Sequence, residues 1–233
     1  MNSRKKIVAI IPARAGSEGI PNKNIISICN KPLLAWSVLH AKHTPEIDSV
    51  WVTSDGDDIL HIAEQYGAYP IKRPESISSG TASSESAWIH AIQEIKKKIG
   101  DIDLVVGMQA TSPIREPSDL SIAIHSFLEN NYDSLFSASE LEDYFIWEID
   151  DGNPQPVNYN PKQRKMRQDI KKSYLENGSF YIFKPNIIEK ENNRLGGKIG
   201  IYLMEKHKMF QIDNIEDIRF CHSIMKGYKL DKF

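Results

Sequence analysis

Two cations in a loop of small residues are the side chains best suited to chemistry in this chain. Arg14 and Lys23 lie in the stretch 13–24, which directly follows an apolar run at 7–11. A buried strand that opens into such a loop lets backbone N–H groups approach a polyphosphate while fixed cations neutralise its charge. Neither GxxxxGK[ST] nor GxGxxG, the common phosphate-binding patterns, occurs there. The residues therefore predict a nucleotide-binding loop of a less common kind.

The composition narrows the class of protein. The 233 residues, 40% hydrophobic and 26% charged, suit one α/β domain over 1–233. With a formal net charge of -2, the chain has no basic field for nucleic acid, so a polyanion must be met by local cations. Two cysteines, Cys29 and Cys221, are too sparse for a disulfide framework, and the first apolar run is too short for a signal peptide or membrane span. We expect a cytoplasmic protein without nucleic-acid or membrane partners, with both cysteines in its core.

Short β-rich runs alternate with helical patterns along most of the chain. The patterns predict strands at 7–11, 49–53, 104–108, 179–183, 199–204 and 210–212, and helices from residue 33 and at 57–66, 83–98 and 215–225. This alternation predicts a three-layer, Rossmann-like α/β fold with a mostly parallel sheet. Between residues 140 and 173 the pattern changes to a turn, dispersed aromatic residues and a basic stretch. We expect an excursion from the sheet there, its aromatic residues packing against a partner subunit or in a small core of their own.

The loop motif resembles that of a known family. The pattern P-A-R-x-G-S-x-x-x-P-x-K-N at 12–24 is similar to the opening motif of the CMP-sugar synthetases, which activate sialic acid and related nine-carbon 2-keto acids with CTP. A surface loop with incidental charges is the alternative for that stretch alone. Further matches extend the resemblance over nearly the whole chain: K-R-P-E at 72–75 with T-A-S-S at 81–84, Q-A-T-S-P-I-R at 109–115, R-Q-D at 167–169 with E-N-G-S-F-Y-I at 176–182, and 210–218.

The resemblance implies roles for individual residues. Arg14 and Lys23 would be catalytic, stabilising charge on the triphosphate and the leaving pyrophosphate. The implied nucleotide-binding residues are Ala13, Arg14, Gly16, Ser17, Lys23, Asn24, Arg73, Ala82 and Ser84. The implied sugar-acid residues are Gln109, Thr111, Ser112, Arg167, Gln168 and Tyr181. Helix capping for the serines, a turn-satisfying amide for Gln109 and a surface arginine at 167 are the structural alternatives.

The resemblance also implies a magnesium or manganese ion, held by Asp213 with triphosphate oxygens and water. The family usually has a basic residue where this chain has Glu18, and a metal-binding aspartate where it has Gln211. Glu18 would repel a triphosphate, or else turn toward the metal and replace the missing carboxylate. In the second case, Glu18→Ala should impair magnesium dependence. Helix capping is the alternative role for Asp213 and Asn214, and a favourable first-turn charge for Asp217.

The implied reaction is attack of the anomeric hydroxyl of a 2-keto sugar acid on the α-phosphorus of CTP, giving a CMP-sugar and pyrophosphate. Asn24 stands where relatives acting on an eight-carbon acid usually have proline, which favours a nine-carbon acid of the sialic, legionaminic or pseudaminic type. A homodimer formed through 140–173 is implied as well. Two other classes stay open: a family member that binds nucleotide or sugar without turnover, favoured by Glu18 and Gln211, and a nicotinamide-dependent oxidoreductase, disfavoured by the missing glycine fingerprint.

Overall fold

The computed structural model describes residues 4–16, 19–78, 83–141, 144–166 and 169–232. The strands are β1 (Ile7–Pro12), β2 (Ser27–Ile28), β3 (Lys31–Pro32), β4 (Ser49–Ser54), β5 (Tyr69–Lys72), β6 (Leu104–Met108), β7 (Ser134–Leu141), β8 (Trp147–Asp150), β9 (Asn153–Pro156), β10 (Ser173–Phe183) and β11 (Ile199–Met204). The α-helices are α1 (Leu33–Lys42), α2 (Asp57–Gln65), α3 (Ser84–Ile99), α4 (Pro117–Glu129), α5 (Pro185–Glu191) and α6 (Ile215–Gly227).

The central sheet of the described residues has seven strands in the order β11-β7-β10-β6-β1-β4-β5. Strand β1 pairs in parallel with β4 and β6, whereas β10 runs antiparallel between β6 and β7. Strands β1 and β6 are continuous apolar runs because both of their faces are buried, which is characteristic of parallel strands between helical layers.

Side chains of β1 alternate between two cores. Ala9 and Ile11 pack on the face covered by α1, α2 and α4, while Val8 and Ile10 pack on the face covered by α3 and α5. Helices therefore cover both faces of a mostly parallel sheet. The predicted three-layer α/β fold is confirmed.

Most predicted elements lie where the sequence places them, including β6 and β11 at their predicted bounds. The strand predicted at 210–212 is wrong. The structure assigns these residues to no strand and places them beyond the carboxyl end of β6, where the backbone N–H of Ile212 donates to the carbonyl of Thr111, 2.9 Å away. A short apolar run predicts an extended chain equally well with or without a neighbouring strand.

A third core joins the loop after β1 to the C-terminal helix. Ile20, Trp36 and Ile212 pack in it against Cys221 of α6. Cys29 is buried in the same cluster, and both cysteines are free thiols in core positions, as predicted. This core attaches the segment around Ile212 to the front of the sheet.

The stretch between β7 and β10 leaves the sheet from a paired stem, in which Leu141 is opposite Ser173. Its hairpin, β8 with β9, belongs to a separate two-stranded sheet. Phe145 and Tyr159 pack with ring centroids 4.2 Å apart, and the Trp147 ring lies against Tyr159 at 5.8 Å. The aromatic residues therefore form a small cluster of their own, while dimerisation through this segment stays a prediction. Across the described ranges, no helix is both long and apolar enough to cross a bilayer.

Candidate active site

A cleft of about 360 Å³ opens at the carboxyl ends of β1 and β6. Open α/β sheets bind their ligands at this edge, and the volume lies within the usual range of ligand pockets, about 300–1,000 Å³. The residues around it come from the loop after β1, the first turns of α3, the loop after β6 and the segment before α6. They are Pro12, Ala13, Arg14, Gly19, Lys23, Asn24, Ser84, Trp88, Gln109, Ala110, Thr111 and Asp213.

One side of the cleft, which we call the basic wall, consists of Arg14, Lys23 and Asp213. Lys23 Nζ lies 3.0 Å from Asp213 Oδ1. The lysine side chain is 14% exposed and the aspartate side chain 72% exposed. The structure therefore brings together the predicted catalytic lysine and the predicted metal ligand, which are 190 residues apart in the sequence.

Close packing of two backbone segments brings Lys23 and Asp213 together. A Cβ atom added to Gly19 would lie 2.6 Å from the carbonyl oxygen of Asp213. Asp217 accepts hydrogen bonds from the backbone N–H groups of Asp213 and Asn214, at 2.8 and 2.9 Å, and Asn214 caps α6 in return. Capping thus explains Asn214 and Asp217, whereas the carboxylate of Asp213 pairs with Lys23.

Buried polar groups hold the loop that carries Arg14. The Asn24 side chain donates to the Arg14 carbonyl over 2.9 Å, and Asp55 accepts from the backbone N–H of Ala15 over 3.0 Å. Asn24 borders the cleft and fixes the backbone of Arg14, while its role in binding the nucleotide stays a prediction. Asp55 was not predicted. The polar residues that follow the predicted strand at 49–53 were the available signal, because a parallel strand ends at the ligand edge.

Arg73 approaches the same loop through Asp55. Its guanidinium lies 3.6 Å from Asp55 Oδ1 and donates to the Ser78 hydroxyl over 3.2 Å. Burial lowers the pKa of Arg73, and the charge of Asp55 opposes this shift. Arg73 is 7% exposed and does not border the cleft, so the contacts seen here give it a structural role beside this loop, and its role in binding the nucleotide stays a prediction.

Helix α3 begins at the cleft. Ser83 caps it by accepting a hydrogen bond from Ser86, and Ser84 lines the cleft at the first helical position. A helix N-terminus favours anions, so both proposed roles of this serine pair, capping and ligand binding, are compatible here.

A second part of the cleft lining, which we call the amide wall, consists of Gln109, Ala110 and Thr111. Arg115 lies behind it and is fully buried. Its guanidinium donates to the carbonyl oxygens of Gln109 and Ser179 at 2.7 and 2.8 Å and to the Ser37 hydroxyl at 2.9 Å. Burial lowers the pKa of Arg115 to about 9, so it stays protonated and a full donor at neutral pH. Although it belongs to the motif at 109–115, this residue was not predicted as part of the site.

Of the six predicted sugar-acid residues, two line the cleft, two are buried behind it, and two lie outside the described residues. Gln109 and Thr111 line the cleft. Ser112 and Tyr181 are buried behind it, and the Tyr181 hydroxyl donates to Glu176 over 2.6 Å. Burial and this hydrogen bond raise the pKa of Tyr181. Four predicted site residues lie outside the described residues: Ser17, Ala82, Arg167 and Gln168; Glu18, the second departure from the family pattern, lies outside them as well.

Comparison with known proteins identifies the family. The family described as Cytidylyltransferase matches residues 8–230. The chain belongs to the cytidylyltransferases.

Two relatives of this chain are named for different sugar acids. The N-acylneuraminate cytidylyltransferase A of Danio rerio is 34% identical over 90% of this chain and 48% of its own length. The chain thus spans about half the length of that relative. The pseudaminic acid cytidylyltransferase of Campylobacter jejuni strain 81-176 is 31% identical over 95% of this chain and 97% of its own length.

Solved cytidylyltransferase structures share the fold. A CMP:2-keto-3-deoxy-manno-octonic acid synthetase complexed with CTP has a TM-score of 0.72 at 14% identity, covering 96% of this chain and 100% of that one. A cytidylyltransferase from Leptospira borgpetersenii has a TM-score of 0.65 at 18% identity, covering 98% of this chain and 90% of that one.

The described residues of this cytidylyltransferase contain no group of three or more His, Cys, Asp and Glu side chains able to hold a metal. Magnesium does not require such a group, because it usually keeps several waters and binds through one or two carboxylates and substrate phosphates. The exposed carboxylate of Asp213 at the rim of the cleft fits such a shared site. Gln211 has a different partner, since its side-chain nitrogen donates to the Asn177 carbonyl over 2.6 Å.

Proposed function

We propose that this chain transfers a cytidylyl group from CTP to a nine-carbon 2-keto sugar acid of the sialic, legionaminic or pseudaminic type, releasing pyrophosphate. The observation that carries the proposal is a single cleft lined by Arg14 and Lys23 of the basic wall and by Gln109 and Thr111 of the amide wall. The relatives named for acylneuraminate and pseudaminic acid support this substrate class.

The two walls divide the work of the reaction. Arg14, Lys23 and the N-terminus of α3 would bind the triphosphate and stabilise the charge that develops on pyrophosphate as the anomeric oxygen attacks the α-phosphorus. Gln109 and Thr111 would hold the sugar acid in line with that phosphorus. None of the described residues that line the cleft is a histidine. We assign alignment and fixed charge to the residues of this cleft and name no side chain as general base.

Magnesium is part of the proposal, with Asp213 as its protein ligand. When bound, it would polarise the phosphoryl oxygens. Lys23 would exchange its contact with Asp213 for the triphosphate, leaving the carboxylate available to the cation. Such an exchange costs little because the carboxylate of the pair is largely exposed.

We also propose a cytoplasmic homodimer that pairs through the excursion. CTP is a cytoplasmic metabolite, and both cysteines are free thiols. Ile149 and Trp147 of the hairpin are 79% and 47% exposed, a surface suited to a second copy of the chain. Sedimentation at micromolar concentration tests this, and a monomer would contradict it.

Pyrophosphate release tests the main proposal. The chain is incubated with CTP, Mg²⁺ and in turn sialic, legionaminic and pseudaminic acid, with the eight-carbon acid and UTP as controls. Release that requires both CTP and one nine-carbon acid supports the proposal and identifies the sugar. If CTP binds but no sugar supports release, the chain is a binder without turnover.

A further inference from the structure

A bulge in β10 around Gly178, which we call the Gly178 turn, lies against the side-chain amides of Gln109 and Gln211. The pairing of β10 with β7 shifts register between Glu176 and Tyr181, and Gly178 within this interval has a φ of 65°. A Cβ atom added to Gly178 would lie 2.7 Å from Gln211 Nε2 and 3.1 Å from Gln109 Oε1. Bulges of this kind often redirect side chains beside active sites. Both glutamine side chains therefore lie against a glycine whose conformation and lack of a side chain are both needed.

Gln211 is bound to this turn by a hydrogen bond that only a donor can make. Its Nε2 donates to the Asn177 carbonyl over 2.6 Å. The Asn177 side chain is buried and fully engaged as well, accepting from the Ser137 hydroxyl at 2.6 Å and donating to the Ser139 hydroxyl at 3.2 Å. A carboxylate at position 211 would place an anion against a carbonyl oxygen and lose this bond.

The segment that carries Gln211 is fixed on both sides. Upstream, the buried Lys208 ammonium lies 2.9 Å from Asp119 of α4. Downstream, Ile212 donates to the Thr111 carbonyl of the amide wall. Gln211 is thus held in place by its own segment and in turn restrains the turn beneath Gln109.

We infer that Gln211 is a positioning residue for the sugar acid, acting through Gly178 and Gln109, and is not a ligand of the metal. The backbone of Gln109 is held by Arg115 and Ser179, whereas its side-chain oxygen lies against the Gly178 turn that Gln211 fixes. This inference rests on the proposed function for its kinetic consequence. The contact between Gln211 and the Gly178 turn can be tested whether or not the chain is active.

The kinetic test uses Gln211→Glu, which keeps the side-chain length, removes the donor and offers a carboxylate to a metal. Sugar acid, CTP and Mg²⁺ are titrated separately in the pyrophosphate assay. We expect the KM for the sugar acid to rise about tenfold, with the KM for CTP and the half-saturating Mg²⁺ concentration unchanged. Gln93→Glu, on the exposed surface of α3, is the matched control for the added charge and should behave as the parent chain.

A lower half-saturating Mg²⁺ concentration in Gln211→Glu would show that position 211 faces the metal, and unchanged constants would show that it positions nothing. Either result overturns the inference. No release by the parent chain would instead count against the proposed function.

A thermal unfolding cycle tests the contact independently of turnover. Gly178→Ala should lower the Tm in both backgrounds because of its backbone conformation. It should lower the Tm by several °C less in a Gln211→Ala background, where the amide that its methyl group meets has been removed. Equal losses of Tm in the two backgrounds would show that the two positions are not in contact, whether or not the chain is active.

Discussion

The two walls of the cleft are held in opposite ways. The amide wall is attached to a fully buried arginine that donates to the carbonyl oxygens of Gln109 and Ser179. In the basic wall, Lys23 pairs with a carboxylate that is 72% exposed. Buried donors are costly to lose, whereas exposed ion pairs contribute little to stability. The side assigned to the sugar acid is therefore set by folding, while the side assigned to the triphosphate retains charges that can exchange partners.

Arg115→Met tests the amide wall and has the largest expected effect. The substitution removes the hydrogen bonds that a fully buried guanidinium donates to the carbonyl oxygens of Gln109, Ser112 and Ser179, and we expect it to lower the free energy of unfolding by about 3–5 kcal/mol. Urea denaturation measures the change. Arg219→Met, at an exposed position of α6, is the matched control and should change stability by no more than about 0.5 kcal/mol. Equal stability of the two variants would contradict a preset amide wall.

Lys23→Met tests the basic wall. We expect pyrophosphate release to fall about 100-fold or more, because a cation that stabilises developing charge is lost, while the Tm changes little. Lys97→Met removes a cation from an exposed pair with Glu94 on α3 and should leave activity intact. A loss of Tm in Lys23→Met comparable with that of Arg115→Met would remove the distinction between the walls.

A smaller effect is expected from Asp133, at the end of the sheet opposite to the cleft. Hydrogen bonds from Lys184 and from the backbone N–H of Lys198 lower the pKa of this carboxyl group. Its contribution to stability is therefore present above its ordinary pKa and is lost as the pH falls through the lowered value. Asp133→Asn should reduce the dependence of Tm on pH below about pH 4 and leave activity at neutral pH unchanged. A change in activity would show that the walls respond to the far end of the sheet.

Much of the fold could be predicted from the sequence because its signals are local. The apolar runs of β1 and β6, the proline before α1 and the serine cap of α3 each indicate an element without knowledge of the rest. The motifs likewise placed Arg14, Lys23, Gln109 and Asp213 in one cleft.

The supporting residues could not be predicted in the same way. Asp55 accepts a hydrogen bond from Ala15 and pairs with Arg73, and Arg115 donates to carbonyl oxygens in the loop after β6 and in β10. Such roles depend on how distant segments meet rather than on residue type or spacing. The prediction of a strand at 210–212 failed for the same reason. The apolar pattern of these residues does not indicate whether another strand lies beside them.

The contact between Gly19 and the Asp213 carbonyl has a consequence for how the protein is made. Chains fold progressively as they leave the ribosome, with N-terminal segments available first. The loop that carries Arg14 and Lys23 emerges before most of the sheet, whereas the backbone against which Gly19 packs follows β11. The sheet from β1 to β11 can be complete while the cleft is still unformed. The cleft can therefore form only after the segment at Asp213 has been synthesised and has packed against the loop after β1.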